Sequence, residues 1–448
     1  MMLSTRLQLH SHERGASIAR QRHNCSMSPN RLFKEVAGMP KLAIAGGQPV
    51  RRSGWDIKWP QQGGRELELL TEVVNSVHWG TRGPKAVEFE ERFAKAHGCK
   101  YGVSVTSGTV ALELALRAVG VEPGDEFIIP PYTFVATATC GVNIGAVPVF
   151  ADIEPDTYNI DARSIEAHIT ERTKAIIPVH IGGRPADMDA IMDVAKRYNL
   201  KVVEDCAQAH SASWRGKPVG SLGDAGCFSF QNSKNISAGE GGIIITNDED
   251  VYLTAWSLHN VGRRPGGEWY EHPIMGGNYR MTEWQAAVLL AQLERMEEWA
   301  QRREHNAACL RKLLSEIDGV LLPREDERVT RNAYHLFIFR LDLSKFGDAT
   351  KHQVATAVQK EGIPLSPGYS RPLYRELVFL EYLPKRFERL LGRKVDYSGV
   401  RLPVTEEVIE TAVWLPQWVL LADEKDMEDI AKAIDKVRSH ADELKSAL

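Results

Sequence analysis

Apolar residues recur three and four apart through GRELELLTEVVNSVHWG (Gly64–Gly80) and AVEFEERFAKAHG (Ala86–Gly98), and each run closes on glycine. That spacing predicts two amphipathic helices with their stop signals. From Tyr101 the pattern switches. YGVSV, EFIIP (Glu126–Pro130), VPVFADI, TKAIIPVH (Thr173–His180), KVVEDC (Lys201–Cys206), GCFSF and GGIIITN are short β-rich runs bounded by polar residues or glycine. They alternate with helical stretches, among them TSGTVALELALRAVG (Thr106–Gly120), YTFVATATCGVNIG and DMDAIMDVAKRYN (Asp187–Asn199). Strands separated by helices predict an α/β fold, its sheet mostly parallel and covered on both faces.

A long helical pattern without proline, Met281–Ile317, then leads out of this region. AYHLFIFRLDL (Ala333–Leu343) restarts the strands, and DMEDIAKAIDKVRSHADEL (Asp426–Leu444) closes the chain as a helix. The expected organisation is a large domain over residues 41–320 and a smaller C-terminal α+β domain over residues 321–448. The first forty residues differ: they are rich in Ser, Arg and His, with Glu13 and Glu35 their only acids. They read as a disordered extension or an early start, with Met27 or Met39 as alternative beginnings; an organelle transit peptide is the other reading.

With 43% hydrophobic and 25% charged residues in 448, the chain is an ordinary globular protein with a substantial core. A formal net charge of -4 argues against nucleic acid or an anionic membrane as the main partner. No apolar run is long enough to span a bilayer. Six cysteines without a Cys-x-x-Cys pair give neither a common zinc spacing nor a disulfide framework, so no metal and a cytoplasmic setting are expected. The usual glycine-rich phosphate loops are missing as well.

The chemistry concentrates in CFSFQNSKNISAGEGG (Cys227–Gly242), where Lys234 stands between an apolar run and a glycine cluster. A lysine amine with a lowered pKa forms Schiff bases with carbonyl compounds. The cofactor that most often uses this in α/β enzymes is pyridoxal phosphate, which also needs a carboxylate for its pyridinium nitrogen and donors for its phosphate. Asp205, at the end of a buried strand, offers the carboxylate, with a helix N-cap as its alternative role. Ser107–Thr109 open a helix and offer an anion site, though Ser and Thr caps are common. Tyr132–Phe134 follow a strand and offer a ring for stacking, or a core aromatic.

In this order the segments resemble the DegT/DnrJ/EryC1/StrS sugar aminotransferases, which are fold-type I pyridoxal phosphate enzymes. The resemblance is carried by Glu204–Asp248, by TSGTVALELALRAVGVEPGDEFIIPPYTFVATA, by PVFADIEPDTYNID, by TKAIIPVHIGGRPADMDAI and by GGNYRMTEWQAAVLLAQLE, and it runs from about Lys41 to the C-terminus. It implies that Lys234 forms the internal aldimine and acts as catalytic base, with Asp205 on the pyridinium nitrogen and Gln208 near the phenolic oxygen. Phe134 stacks on the ring, and Gly108, Thr109 and Ser229 hold the phosphate. Asn278 reaches the phosphate from a neighbouring subunit, which implies a homodimer with shared sites. His180 is either a substrate residue or a hydrogen-bonded core histidine.

The implied reaction moves an amino group from L-glutamate or L-glutamine to a keto-sugar, nucleotide-linked in most of the family, or to a keto-cyclitol. The sugar is the first expectation because that group is larger, although KLAIAGGQPV and the segment after Tyr369 look more like the cyclitol and aminobenzoate branch. SLHNVGRR (Ser257–Arg264) departs from the better-known sugar members. Relatives acting as sugar dehydratases carry histidine in place of Lys234, which argues against that class. A non-catalytic cofactor-binding regulator is the remaining alternative.

Overall fold

The computed structural model describes residues 41–447, so the expectation for residues 1–40 lies outside the described part. Strands β1 (Tyr101–Val105), β2 (Glu126–Ile129), β3 (Val147–Phe150), β4 (Thr173–Ile176) and β5 (Lys201–Asp205) are followed by two short strands, β6 (Ser213–Trp214) and β7 (Lys217–Pro218). After these come β8 (Ala225–Ser229) and β9 (Gly242–Thr246). Seven of them form one sheet in the order β1-β9-β8-β5-β4-β2-β3. Only β9 runs against its neighbours. Every residue of β2, β8 and β9 is buried, as an apolar strand covered on both faces requires.

The helices before and around this sheet are α1 (Gly64–Ser76), α2 (Pro84–Ala96), α3 (Gly108–Ala118), α4 (Ala136–Asn143), α5 (Ala162–Ala167), α6 (Met188–Tyr198) and α7 (Glu249–His259). Helix α4 lies close on β2: a Cβ added to Gly141 would come within 2.2 Å of the Phe127 ring. That glycine sets the height of α4 above the sheet, and with it the position of Thr137. The predicted strand Thr173–His180 pairs regularly only to Ile176, because Pro178 has no N–H to give to the ladder. A single bridge, Val179 to Asp205, carries the pairing to the sheet edge where the site forms.

Helix α8 (Glu283–Leu314) has 32 residues and starts at a capping box between Thr282 and Gln285. Its first half packs Ala286, Leu290 and Trp299 against Phe89 and Phe93 beside the main sheet. Its second half puts Leu310, Leu313 and Leu314 into the core of the C-terminal domain. That domain is built on a second sheet, in which β12 (Leu336–Leu341) lies between β10 (Val320–Leu321) and β13 (Ala412–Pro416). Strand β11 (Val329–Arg331) pairs instead with β6, in a small third sheet. Helices α9 (Lys351–Lys360), α10 (Leu383–Leu391), α11 (Pro403–Thr411), α12 (Glu424–Ser439) and α13 (Ala441–Ala447) complete the chain.

The cores do not divide where the chain order alone placed the domains. Leu42, Ile44, Val50 and Trp55 pack into the C-terminal core. There the backbone amides of Ala43 and Val50 donate to the Glu361 carboxylate, which also pairs with Lys436 at 2.9 Å. Conversely Tyr374, Phe379, Phe387 and Tyr397 return to the core of the main sheet, where the rings of Tyr374, Phe379 and Tyr397 pack edge-on to Phe150. Periodicity shows that a residue is apolar but not which of two cores it enters.

Candidate active site

In an open α/β sheet the carboxyl ends of neighbouring strands leave a crevice where the connections diverge. Here β5 ends at Asp205, β8 ends at Ser229, and β1 runs into Ser107 and helix α3. Asp205 is 5% exposed. Its Oδ2 accepts from the Thr137 hydroxyl at 2.8 Å, and Oδ1 accepts from the Ala207 amide at 3.1 Å. Burial nevertheless raises its pKa, because these donors and the charge of Lys234 do not offset the lost hydration. A buried carboxylate oriented by two donors and lacking an ion-pair partner fits a cationic ring nitrogen.

Lys234 lies on the loop between β8 and β9. Its amide donates to Gln231 O at 2.9 Å, and the loop closes through Asn232 N to Gly239 O at 3.0 Å. Neighbouring elements lock this loop from outside. Trp59 Nε1 donates to Asn232 O at 3.1 Å, and Asn235 Nδ2 donates to Ala333 O at 2.7 Å. Arg303, 2% exposed, gives its guanidinium to Gln417 Oε1 and Asn235 O and stands 5.3 Å from the Trp59 ring. Burial lowers the pKa of the Lys234 amine, with the Asp205 carboxylate pulling the other way. The amine is thereby made a better nucleophile near neutral pH.

Gly108 and Ser229, two of the residues expected at the phosphate with Thr109, stand against each other. Ser107 caps α3, its hydroxyl accepting from Val110 N at 3.2 Å. A Cβ on Gly108 would meet Ser229 Cβ at 2.7 Å, so only glycine lets the helix start approach β8 this closely. The free amides of a first helical turn beside two hydroxyls suit an anion. Phe134, 61% exposed, stands ahead of α4 with its ring uncovered. Gln208 is buried; its Oε1 accepts from Gly182 N at 2.7 Å, and its side chain hydrogen-bonds the Tyr369 hydroxyl. These contacts fit pyridoxal phosphate: a stacking ring, an anion cup, a carboxylate for the ring nitrogen and a free amine.

Asn278 lies next to Tyr279, whose carbonyl accepts from Thr106 N at 3.0 Å at the end of β1. It is exposed and forms an isolated bridge with Asn260 on the loop that follows α7. His180 stays out of the crevice. It is 0% exposed, with Nε2 at 3.0 Å from Glu204 Oε2 and Nδ1 accepting from Ala186 N at 3.0 Å. Glu204 and Asp205 are consecutive strand residues and therefore point to opposite faces. His180 follows Glu204, away from the site, so the geometry favours the core reading over the substrate one. His180→Gln is expected to lower the melting temperature by several degrees, about 1–3 kcal/mol for a disturbed buried contact, with the acceptor KM unchanged. A raised KM at unchanged stability would return His180 to the substrate site.

Three participants escaped the sequence reading. Thr137 stands three residues after Phe134, a spacing that could have placed both over the same crevice. Tyr369 and the Trp59–Arg303 pair come from distant chain segments and carry no local signal.

Residues 60–435 match the DegT/DnrJ/EryC1/StrS aminotransferase family. A Micromonospora echinospora protein provisionally named L-glutamine:3-amino-2,3-dideoxy-scyllo-inosose aminotransferase is 40% identical, over 91% of this chain and 99% of that protein. The L-glutamine:2-deoxy-scyllo-inosose aminotransferase of Streptomyces fradiae is 38% identical over 90% and 99%. Among solved structures, 3-amino-5-hydroxybenzoic acid synthase superposes with a TM-score of 0.79 at 34% identity, over 87% of this chain and all of that one. DesI, solved in the presence of its TDP-sugar product, gives 0.78 at 31% identity, over 90% and 98%. The chain belongs to the DegT/DnrJ/EryC1/StrS aminotransferase family and is an aminotransferase.

Proposed function

We propose that the protein is a pyridoxal phosphate enzyme that transfers the amino group of L-glutamine to a keto-cyclitol. The observation that carries the cofactor is the pair formed by Asp205, a buried carboxylate with no ion pair among the described residues, and Lys234, an amine whose charged form burial disfavours. The acceptor rests on the relatives at 38–40% identity, whose names specify inosose derivatives and L-glutamine. The sugar-linked structure stands at 31%, so the first expectation of a sugar gives way to a cyclitol.

When bound, pyridoxal phosphate supplies a carbonyl that takes over the amine and a ring that accepts the electron pair left at the donor carbon. The chain does the rest. Phe134 covers one ring face, and the α3 amides with Thr109 and Ser229 hold the phosphate. Asp205, kept in place by Thr137 and Ala207, stabilises the protonated ring nitrogen. With the cofactor held there, the Lys234 amine would be placed to take a proton from the donor carbon and to give one back when the acceptor is aminated.

The active unit in this reading is a homodimer. Trp269, Tyr270 and Met275 are 76, 79 and 87% exposed on the segment leading to Asn278. Apolar residues gathered this way on a surface mark an interface, and a partner seated there would bring Asn278 to the neighbouring cup. Cys99, Cys140, Cys206 and Cys227 are buried thiols outside any disulfide, which supports a cytoplasmic setting. No described helix is long and apolar enough to cross a membrane.

The acceptor is tested by competition. Protein, cofactor and L-glutamine are offered equal 2-deoxy-scyllo-inosose and a TDP-linked 4-keto-sugar, and the aminated products are counted by mass spectrometry. The cyclitol product should dominate by about tenfold or more, since a site built for one set of hydroxyls leaves polar groups unpaired against another. Dominance of the sugar product would overturn the cyclitol assignment while leaving the transferase intact.

A further inference from the structure

At the Ile181–Arg184 turn, residues from two separated stretches of the chain line a cavity of about 40 Å³. Its walls come from Tyr158, Gly182 and Arg184 of the large domain, from Arg311 near the end of α8, and from Asn332 and Tyr334 before β12. A single water needs roughly 10–15 Å³ on such a measure, so the space suits a group of a few heavy atoms. Ile181, Pro323, Leu336, Phe337 and Ile338 give the wall an apolar part, and its polar part is one-sided. Among the described residues no aspartate or glutamate lines it, whereas two arginines, two tyrosines and an asparagine do.

Several of these groups have donors to spare. Arg184 gives Nη2 to Arg324 O at 2.7 Å, while its Nε is buried with no hydrogen-bond partner. Of the nearby carboxylates, Asp326 pairs with Arg328 at 2.7 Å, while Glu325, outside the lining, pairs with the Nε side of Arg311 at 3.1 Å. Arg311 also gives Nη2 to Pro323 O, which leaves Nη1. Asn332 uses its carbonyl to accept from Tyr334 N at 2.9 Å, so its amide hydrogens remain to donate.

The backbone around the cavity is unusual too. Tyr158 and Tyr334 hold φ angles of +66° and +48°, in the left-handed region that bulky residues rarely enter. Backbone held in such conformations gathers at ligand sites, where the surrounding structure fixes side chains against their preference. A buried guanidinium edge with no partner, two strained tyrosines and a lining without aspartate or glutamate converge on one small space.

We propose that this cavity is a binding site for a small oxyanion, a phosphate or carboxylate group, held chiefly by Arg184 and Arg311. Planar guanidinium groups bind both with paired charge-assisted hydrogen bonds. The occupant touches both domains, so it fixes their relative placement. It also rests on the turn whose Gly182 amide orients Gln208. This site lies outside the crevice that holds Lys234 and does not depend on what reacts there.

Calorimetry tests it on protein saturated with pyridoxal phosphate, so that the cup at α3 is already filled. Inorganic phosphate and acetate are titrated separately. Saturable binding of one equivalent per chain is expected for at least one of them, weakened about tenfold or more in both Arg184→Gln and Arg311→Gln. Tighter binding of phosphate assigns the site to a phosphoryl group, and tighter binding of acetate to a carboxylate. Arg311, at the rim, serves if the Arg184 variant does not fold. No saturable binding of either anion, or wild-type affinity in the folded variants, would overturn the proposal.

Discussion

Lys234→Ala should leave a folded protein that no longer transfers amino groups, with a rate reduced about 10³-fold or more. The amine both anchors the cofactor and carries the proton, so one substitution removes two functions. Folding should survive because the loop does not depend on that side chain. The loop is held through its backbone at Asn232 and through Asn235, by Trp59, Ala333 and Arg303. The checks are the steady-state rate, the visible spectrum with cofactor, and circular dichroism. A variant with native dichroism and more than about a tenth of the wild-type rate would show that another group carries the proton.

Asp205→Asn should keep the shape of the site and lose about 10²–10³-fold in rate, the scale of removing one preorganised charge from the reacting group. The amide still accepts from one of the two donors now on the carboxylate, Thr137 or Ala207. It cannot stabilise a protonated ring nitrogen. The same substitution has a second, opposite consequence for stability. Burial raises the pKa of Asp205 in the folded chain, so its contribution is fully present below the unfolded pKa and is lost as pH rises through the folded value. Without cofactor at neutral pH, the asparagine variant should therefore melt above the wild type, and the gap should close on acidification. A cofactor-free variant that melts lower at pH 7 would mean that the ionised carboxylate stabilises the chain, and that Asp205 is structural.

The residues that chemistry marks locally were legible in the sequence. A carboxylate at the end of an apolar strand, a glycine at the start of a helix and a lysine in a glycine-flanked loop each violate a local expectation; the structure sets Asp205 in the field of Lys234, and Gly108 against Ser229. His180 shows the limit. Its place near a strand end was visible, but the face it takes is set by pairing across strands, and its partner is Glu204. Tyr369 reaches Gln208 across 161 residues of chain, and Arg303 reaches Asn235 across 68. Such contacts follow from how the C-terminal domain docks, which no local pattern records. The same holds for packing across the expected domain limits: residues of 42–55 pack into the C-terminal core and residues of 373–402 into the core of the main sheet.

The central claim is that Lys234 and Asp205 serve a bound pyridoxal phosphate that accepts an amino group from L-glutamine. The most direct test is the visible spectrum of the protein saturated with cofactor, before and after L-glutamine is added without any acceptor. A long-wavelength band should form with wild type but not with Lys234→Ala, and L-glutamine should convert it to the shorter-wavelength absorbance of the aminated cofactor. A band of equal strength in Lys234→Ala, or a wild-type band that neither L-glutamine nor L-glutamate changes, would contradict the account.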